Sequence, residues 1–247
     1  MKRFLKITYL PLAVLACGVL TALLRALLWI SAGGNNGSSL LPAGTLPDVL
    51  SWILVAGTIA LIAVSTKKIR NNKKFSHNFT ANPIAAISMA LAAAGFLFTS
   101  IADLSANADS ITTAATVMGF VAAAALLLLA YFRFKGMRPS MLLHSVVCLY
   151  LMLFLVSHYR LWSAAPQLQT YTFDLMAIVF VMLACYHRAA FDMNQGSRRA
   201  YTFFTLAALF FCIATIPGCD NPAFFIGCAA WMFCTPCKLS LPKKEEN

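Results

Sequence analysis

The chain has 247 residues, of which 60% are hydrophobic and 11% charged, and its mean hydropathy is +0.77. Soluble domains rarely exceed about 50% apolar residues, so this composition excludes an ordinary soluble fold. A net charge of +11 would suit nucleic-acid binding if it formed one solvated patch. The basic residues instead occur in short clusters between apolar runs. The sequence therefore predicts a lipid bilayer as partner and no nucleic acid.

Long apolar runs follow one another along the whole chain. A helix needs about 20 apolar residues to cross the ~30 Å hydrocarbon layer, and these runs alternate too little for barrel strands. The sequence predicts an all-α, polytopic transmembrane helical bundle of about eight spans that forms a single domain, residues 1–247. The approximate spans are 9–31, 47–66, 83–103, 111–132, 139–162, 172–191, 201–216 and 223–236.

Turn residues and basic clusters separate the spans. Gly, Asn and Ser fill residues 33–39, which predicts a loop after the first span. Pro83 and Pro139 open the third and fifth spans, a position that proline suits. The eighth span is short and contains Pro236, so a re-entrant hairpin with the seventh is an alternative.

The distribution of charge predicts the orientation. With the N-terminus in the cytoplasm, 17 of the 19 Lys and Arg residues fall on the cytoplasmic side, and the C-terminus is also cytoplasmic. The two exceptions are Arg25 and Arg160. Five of the eight acidic residues fall on the opposite side: Asp48, Asp103, Asp109, Asp174 and Asp220.

The two halves of the chain place charges at corresponding points. Arg25, Asp48 and Asp103 lie near outer helix ends in spans one to four, and Arg160, Asp174 and Asp220 do so in spans five to eight. A weak 4+4 parallel repeat is one interpretation. The alternative is that outer helix ends simply tolerate charge.

Arg25 and Arg160 are the least expected residues of the apolar spans. An arginine facing lipid costs at least ~2.5 kcal/mol near the bilayer centre, so both should face the bundle interior, a wet vestibule or the interface. One interpretation is an outward-facing pocket for an anionic or zwitterionic small molecule, because guanidinium groups bind carboxylate and phosphate. The other is a set of ion pairs that fixes helix packing. The candidate ligand-binding residues are Arg25, Trp29, Asp103, His158, Arg160 and Asp174.

Two histidines lie on one face of the fifth span. His144 and His158 are fourteen residues apart, about 21 Å along a helix, so they cannot bind one metal ion. We expect both to be buried and hydrogen-bonded to neighbouring helices, with a proton relay as the alternative. Arg160 is about 160° around the helix from His158, so one face cannot present both.

The cysteines and the known motifs give little functional signal. Cys234 and Cys237 form a CxxC pair at the end of the last span, a weak candidate for metal or thiol redox chemistry. The sequence predicts no bound metal and no cofactor. It contains no Walker loop, dinucleotide fingerprint, HExxH or GxSxG motif, so it favours a protein that is not an enzyme.

A segment around spans five and six resembles known sequences. Tyr159-Arg-Leu-Trp-Ser, followed by Pro166-Gln-Leu-Gln-Thr-Tyr-Thr-Phe-Asp-Leu-Met176, is similar to uncharacterised multi-pass bacterial membrane proteins. The resemblance covers mainly residues 158–177. It implies a bacterial cytoplasmic membrane and brings no activity with it.

Three functional hypotheses follow from the sequence. The first is a small-molecule binder or transporter with an outward-facing charged vestibule. The second is a non-transporting scaffold or sensor subunit whose buried charges are structural. The third is a membrane thiol redox protein that uses Cys234 and Cys237. The sequence predicts neither the ligand nor the coupling ion, and it leaves partner proteins and the oligomeric state open.

Overall fold

The computed structural model of this protein describes residues 2–31, 45–69, 71, 73, 75–79, 81–105, 110–163 and 171–237, and its secondary structure is helical. Over these residues there are eight long helices and one of four residues. They are α1 (Lys2–Ser31), α2 (Leu46–Lys67), α3 (Phe75–Asn78), α4 (Pro83–Ser105), α5 (Ser110–Lys135), α6 (Met141–Ser163), α7 (Thr172–Asp192), α8 (Arg198–Thr215) and α9 (Pro222–Cys237).

Six of these helices are long and apolar enough to cross a membrane: α1, α2, α4, α5, α6 and α7. Large apolar side chains project from their outer faces, among them Ile53, Ile87, Phe98 and Leu142, each at least 60% exposed. Such exposure is unfavourable in water and appropriate in lipid. The chain is therefore a multi-pass membrane protein in contact with the bilayer, and the predicted all-α transmembrane fold is confirmed.

The remaining two long helices are shorter. At 1.5 Å per residue, the 18 residues of α8 extend about 27 Å and the 16 residues of α9 about 24 Å. Fourteen of the eighteen residues of α8 are buried, so its neighbours replace lipid around most of its surface. The prediction of eight crossings stays a prediction for these two helices.

Six helices form a closed ring. Each of α4, α5, α6, α7, α8 and α9 packs against the next, and α9 packs back against α4. The pair α1 and α2 lies outside this ring, mainly against α8. The two halves of the chain thus pack differently, since α7 packs on α8 whereas α2 and α4 share no comparable interface within the described residues. The parallel repeat stays a prediction.

Small residues allow α4 and α5 to approach neighbouring helices closely. A Cβ atom on Gly95 would lie 2.8 Å from the carbonyl oxygen of Ala223, and one on Gly227 would lie 3.0 Å from Cα of Ala92. The backbones of α4 and α9 are therefore nearly in contact. A Cβ atom on Gly119 of α5 would collide with Oγ of Ser100.

Successive long helices run in alternating directions between two ends of the bundle. We call the end that holds Asp48, Asp103, Asp174 and Asp220 the acidic end, and the end that holds Lys67, Arg133, Arg188 and Arg198 the basic end. The amide of Asn82, before α4, donates to the carbonyl oxygen of Arg133, near the end of α5, over 3.2 Å. This antiparallel pairing is what short connections between adjacent helices require.

Candidate functional site

At the acidic end, Arg25 of α1 faces the bundle interior, as the sequence predicts for a charged residue within an apolar span. Its side chain is 9% exposed, and Cζ lies 4.1 Å from the ring centroid of Phe173 at the start of α7. Asp174 follows Phe173 in sequence and is also buried. Asp174 and Asp48 are the carboxylates whose charges act on Arg25. The guanidinium group is thus stabilised by carboxylates and an aromatic ring.

Asp103 lies elsewhere at the same end. Its electrostatic neighbour is His158 of α6, although the sequence analysis places Asp103 in one candidate pocket with Arg25. The difference follows from packing, since α4 packs between α5 and α9 whereas α1 packs mainly on α2 and α8. His158 is buried, its Nδ1 lies 3.1 Å from the carbonyl oxygen of Phe154, and its Nε2 lies 3.5 Å from Nδ2 of Asn221.

The other predicted residues of this end are more exposed. Arg160 is exposed while His158 is buried, which agrees with their predicted positions on different faces of α6. Trp29 is 45% exposed and lies against the turn at Gly218, where φ is +83°. An ideal Cβ on Gly218 would lie 3.2 Å from Cδ1 of Trp29, so the turn needs glycine both for its conformation and for space.

The connection between α8 and α9 closes this end. Cys219 lies in it, and burial raises the pKa of its thiol to about 12, with the nearby carboxylates of Asp174 and Asp220 adding to the effect. Its Sγ donates to the carbonyl oxygen of Ile216 over 3.3 Å. The thiol is therefore held in its neutral form.

A cavity lies at the opposite, basic end of the ring, where the sequence predicted no site. All six ring helices line it, with Met89, Arg133, His144, Arg188, Tyr201 and Thr235 coming from α4, α5, α6, α7, α8 and α9 in that order. The space available to water centres is about 20 Å³. Since about 10–15 Å³ of such space holds one water, a compact ion is comparable in size.

Two arginines line this cavity, and one aspartate lies beside it. Nη1 of Arg188 donates to Oδ1 of Asp192, one turn later on α7, over 3.1 Å. Oδ2 of Asp192 lies 3.0 Å from Nδ1 of His144, close enough for an ion pair but not aligned for a hydrogen bond. Arg133 and Arg188 act on each other as like charges. Of these two guanidinium groups, that of Arg188 pairs with the carboxylate of Asp192.

An aromatic ring lies beside both guanidinium groups. Cζ of Arg188 is 3.7 Å and Cζ of Arg133 is 4.9 Å from the centroid of Phe79. Cation–π contact offsets part of the cost of burying these charges. However, Nη2 of Arg133 is buried and has no hydrogen-bond partner within the described residues. A buried charged donor of this kind is costly to leave unmatched.

Local backbone structure brings Phe79 to the cavity. Asn194, in the turn after α7, has φ +57°, a conformation that asparagine tolerates better than most residues. Its side-chain Oδ1 accepts from the amide of Phe75 over 3.1 Å. This bond ties α3 to the end of α7. Phe75 and Phe79 then pack with Phe191 and Tyr201 in a small aromatic cluster.

The sequence-based prediction missed this site because it assigned the basic residues to loops that only set orientation. Arg133, Arg188 and Arg198 instead lie within helices and are buried. One pattern in the sequence did indicate a buried charged site. Arg188 and Asp192 are four residues apart on a helix, and His144 was already placed on the buried face of α6.

Four aromatic side chains fill the ring on the acidic side of the cavity. We call them the aromatic plug: Phe96, Tyr150, Phe154 and Phe224, each at most 2% exposed. The ring of Phe224 stacks on Phe96 at 5.2 Å and on Phe154 at 4.8 Å, measured between centroids. The plug separates the cavity from His158, whose ring lies 4.0 Å from that of Phe154.

Thiol chemistry gains no additional support from the structure. Among the described residues, no three His, Cys, Asp or Glu side chains cluster in a way that could hold a metal ion. Cys234 is partly buried, and the side chain of Cys237 lies outside the described residues. Cys148 and Cys185 are neighbouring thiols of α6 and α7. The redox hypothesis for Cys234 and Cys237 stays a prediction.

Comparison with known proteins finds no matching family model, no matching curated protein and no matching solved structure.

Proposed function

We propose that this protein is a small-molecule binder or transporter of a bacterial cytoplasmic membrane, and that it binds a compact anion in the basic-end cavity. One observation carries the proposal. Two buried guanidinium groups of like charge, those of Arg133 and Arg188, line one cavity, and the carboxylate of Asp192 beside it pairs with Arg188.

The charge of the site favours an anion. With His144 neutral, Arg133, Arg188 and Asp192 together leave one positive charge in excess. Excess charge in a low-dielectric interior is unfavourable, and a bound anion would neutralise it. A guanidinium group offers donors in a planar fork that matches carboxylates and other oxyanions. The unmatched Nη2 of Arg133 supplies a donor for that purpose.

The size of the cavity narrows the ligand class. The space for about one or two water centres suits a halide or a small oxyanion better than an extended metabolite. Apolar side chains, including Met89, Leu129 and Met232, line part of the wall, so the polar contacts are concentrated at the arginine side. A mostly apolar pocket with a few convergent polar groups is typical of a ligand site.

The position of the cavity suits binding from the basic side. The predicted orientation places that side in the cytoplasm. The aromatic plug fills the ring toward the acidic end, so transport would require those side chains to move.

The predicted outward-facing vestibule around Arg25, Asp103, Arg160 and Asp174 is the second candidate site. Its supporting observation is the pair of buried charges, Arg25 and Asp174. The proximity of Asp174 and Asp48 to one guanidinium group gives better support to the alternative, in which these charges fix helix packing. A scaffold or sensor role would then rest on this end of the molecule.

The test is saturable stabilisation by nitrate. Thermal unfolding of the detergent-purified protein is measured with increasing sodium nitrate, and sodium gluconate keeps the ionic strength constant. A ligand at 100 times its Kd stabilises the folded state by about 2.7 kcal/mol. We expect a saturating rise in Tm for the natural sequence and none for Arg133→Gln. Without nitrate, Arg133→Gln should unfold close to the natural Tm, because it also removes repulsion with Arg188.

Lys135→Gln is the matched control. It removes the same charge from the last turn of α5, but Lys135 is exposed, so it should keep the nitrate effect. An equal Tm rise in Arg133→Gln would contradict the proposed site. The absence of any saturable effect of nitrate, chloride, formate or phosphate on the natural sequence would contradict the proposed function.

A further inference from the structure

His144 and Asp192 form a buried pair beside the two arginines. His144 is 1% and Asp192 4% exposed, and Nδ1 of the first lies 3.0 Å from Oδ2 of the second. The other oxygen of Asp192 accepts from Arg188. One carboxylate thus connects a titratable imidazole with a guanidinium group of the cavity. The imidazole of His144 can therefore accept a proton beside the proposed anion site.

We infer that anion binding in the basic-end cavity is coupled to the uptake of one proton by His144, so that anion and proton bind together. This inference rests on the proposed function and names the coupling ion for the same site. A solvent proton adds to the imidazole lone pair, which gives imidazolium, and no other bond forms or breaks.

Electrostatics supplies the coupling. In the empty site, the excess positive charge of Arg133 and Arg188 opposes a further charge on His144. An anion between the guanidinium groups cancels that excess and also competes with Asp192 for the donors of Arg188. The carboxylate of Asp192 is then freer to stabilise imidazolium. Since coupling between two sites is reciprocal, protonation of His144 strengthens anion binding by the same factor.

The charged and titratable groups that face His144 come from several helices. The described lining residues from α4 and α9 carry no titratable group, and their polar side-chain groups are the indole N–H of Trp231 and the hydroxyl of Thr235. The titratable and charged ones are Arg133 of α5, Cys185, Arg188 and Asp192 of α7, and Tyr201 of α8. Cys185 and Tyr201 are uncharged near neutral pH. The group that takes up the proton is therefore His144.

Proton linkage predicts the direction in which the nitrate affinity changes with pH. Over the range in which His144 titrates, the affinity for nitrate should rise as the pH falls, by up to about tenfold per pH unit for one coupled proton. Nitrate is the probe because it does not itself take up a proton at these pH values. Its binding is measured by titration calorimetry from about pH 5.5 to 7.5, in two buffers with different heats of protonation. The buffer dependence of the heat gives the number of protons taken up.

We expect the natural sequence to take up a proton with nitrate, at most one per nitrate, within this range, and His144→Gln to bind nitrate with little pH dependence. His158→Gln is the matched control, since His158 is also buried on α6 but at the acidic end, and it should keep the coupling. Proton uptake that persists in His144→Gln would assign the proton to another group and overturn the inference.

The remaining outcomes separate the two proposals. Nitrate binding without proton uptake in the natural sequence overturns the coupling and leaves the anion site intact, and this measurement does not depend on the folding of any variant. If nitrate does not bind at any pH in the range, the proposed anion site and the coupling fail together.

Discussion

The two ends of the bundle treat buried arginine in different ways. At the acidic end, Arg25 has Asp174 and Asp48 as neighbours, with an aromatic ring against its guanidinium group. At the basic end, Arg133 and Arg188 line a cavity, and Arg188 pairs with the carboxylate of Asp192. Both ends combine buried arginine with a nearby carboxylate and a cation–π contact. They differ in the ratio of cations to anions and in the space left between them.

This difference separates a structural role from a binding role. A buried ion pair with matched charges contributes to packing, and removal of one partner leaves an unmatched charge that destabilises the fold. A buried cation without sufficient counter-charge is unfavourable until a ligand supplies it. Charge balance and free volume together therefore identify the site of binding better than the presence of arginine in an apolar span.

The largest expected effect is at the acidic end. Asp174→Ala would leave Arg25 buried beside Phe173 with Asp48 as its remaining carboxylate neighbour. We expect a loss of roughly 3 kcal/mol in the free energy of unfolding, since breaking a buried pair typically costs about 3–5 kcal/mol. Denaturant unfolding in detergent measures it. Asp103→Ala, the same change at a partly exposed position, should cost much less, and equal losses would contradict a structural role for the pair.

A smaller effect is expected where the ring closes between the two ends. In Gly95→Ala, the new Cβ would lie 2.8 Å from the carbonyl oxygen of Ala223, so α9 must shift away from α4. We expect a loss of about 2 kcal/mol in the free energy of unfolding, within the range for overpacked sites. The same unfolding measurement checks it.

Gly57→Ala on α2 provides the comparison for this substitution, because a Cβ added there would meet no neighbouring atom within 4 Å among the described residues. Its effect should stay within about 1 kcal/mol, the intrinsic difference between glycine and alanine in a helix. If Gly95→Ala lowered the free energy of unfolding no more than Gly57→Ala does, close contact between α4 and α9 would be contradicted.

The smallest effect on stability is expected from the thiol of Cys219, at the acidic end. Because burial raises the pKa of Cys219 to about 12, its thiol should remain protonated at pH 8. This stabilising contribution is fully present below the ordinary thiol pKa and is lost as the pH rises toward 12. In a variant that keeps only this cysteine, maleimide labelling at pH 8 should be on the order of a thousandfold slower than in the unfolded chain. Rapid labelling of the folded protein would show that this end is open.

The sequence was sufficient for the helices. Apolar runs of about 20 residues set the spans, and the predicted range 172–191 coincides with α7 (Thr172–Asp192) to within one residue. The cost of exposing a charge to lipid left three positions for Arg25, the bundle interior, a wet vestibule or the interface, and the structure shows it buried. The pairing of charges between helices was harder to predict, because hydropathy does not indicate which helices are neighbours. Asp103 therefore joined the predicted Arg25 cluster although its helix packs elsewhere.

The basic-end cavity could not be found from composition alone. Arginines that set orientation and arginines that line a site occupy the same part of the sequence, directly after an apolar run. Arg133 is buried and Lys135, two residues later, is exposed, and only the direction of each side chain on α5 distinguishes them. The contribution of Phe79 depends on α3, a helix of four residues that carries no periodic signal. Long-range packing thus determines the site.

The burial of α8 has a consequence for the biogenesis of this protein. Two arginines begin this helix and three threonines lie among its apolar residues, so the segment by itself would partition poorly from the translocon into lipid. Its protein neighbours, in particular α7 and α9, supply the surroundings that lipid does not. Insertion of α8 should therefore be cooperative with that of adjacent segments, with the ring assembled around it.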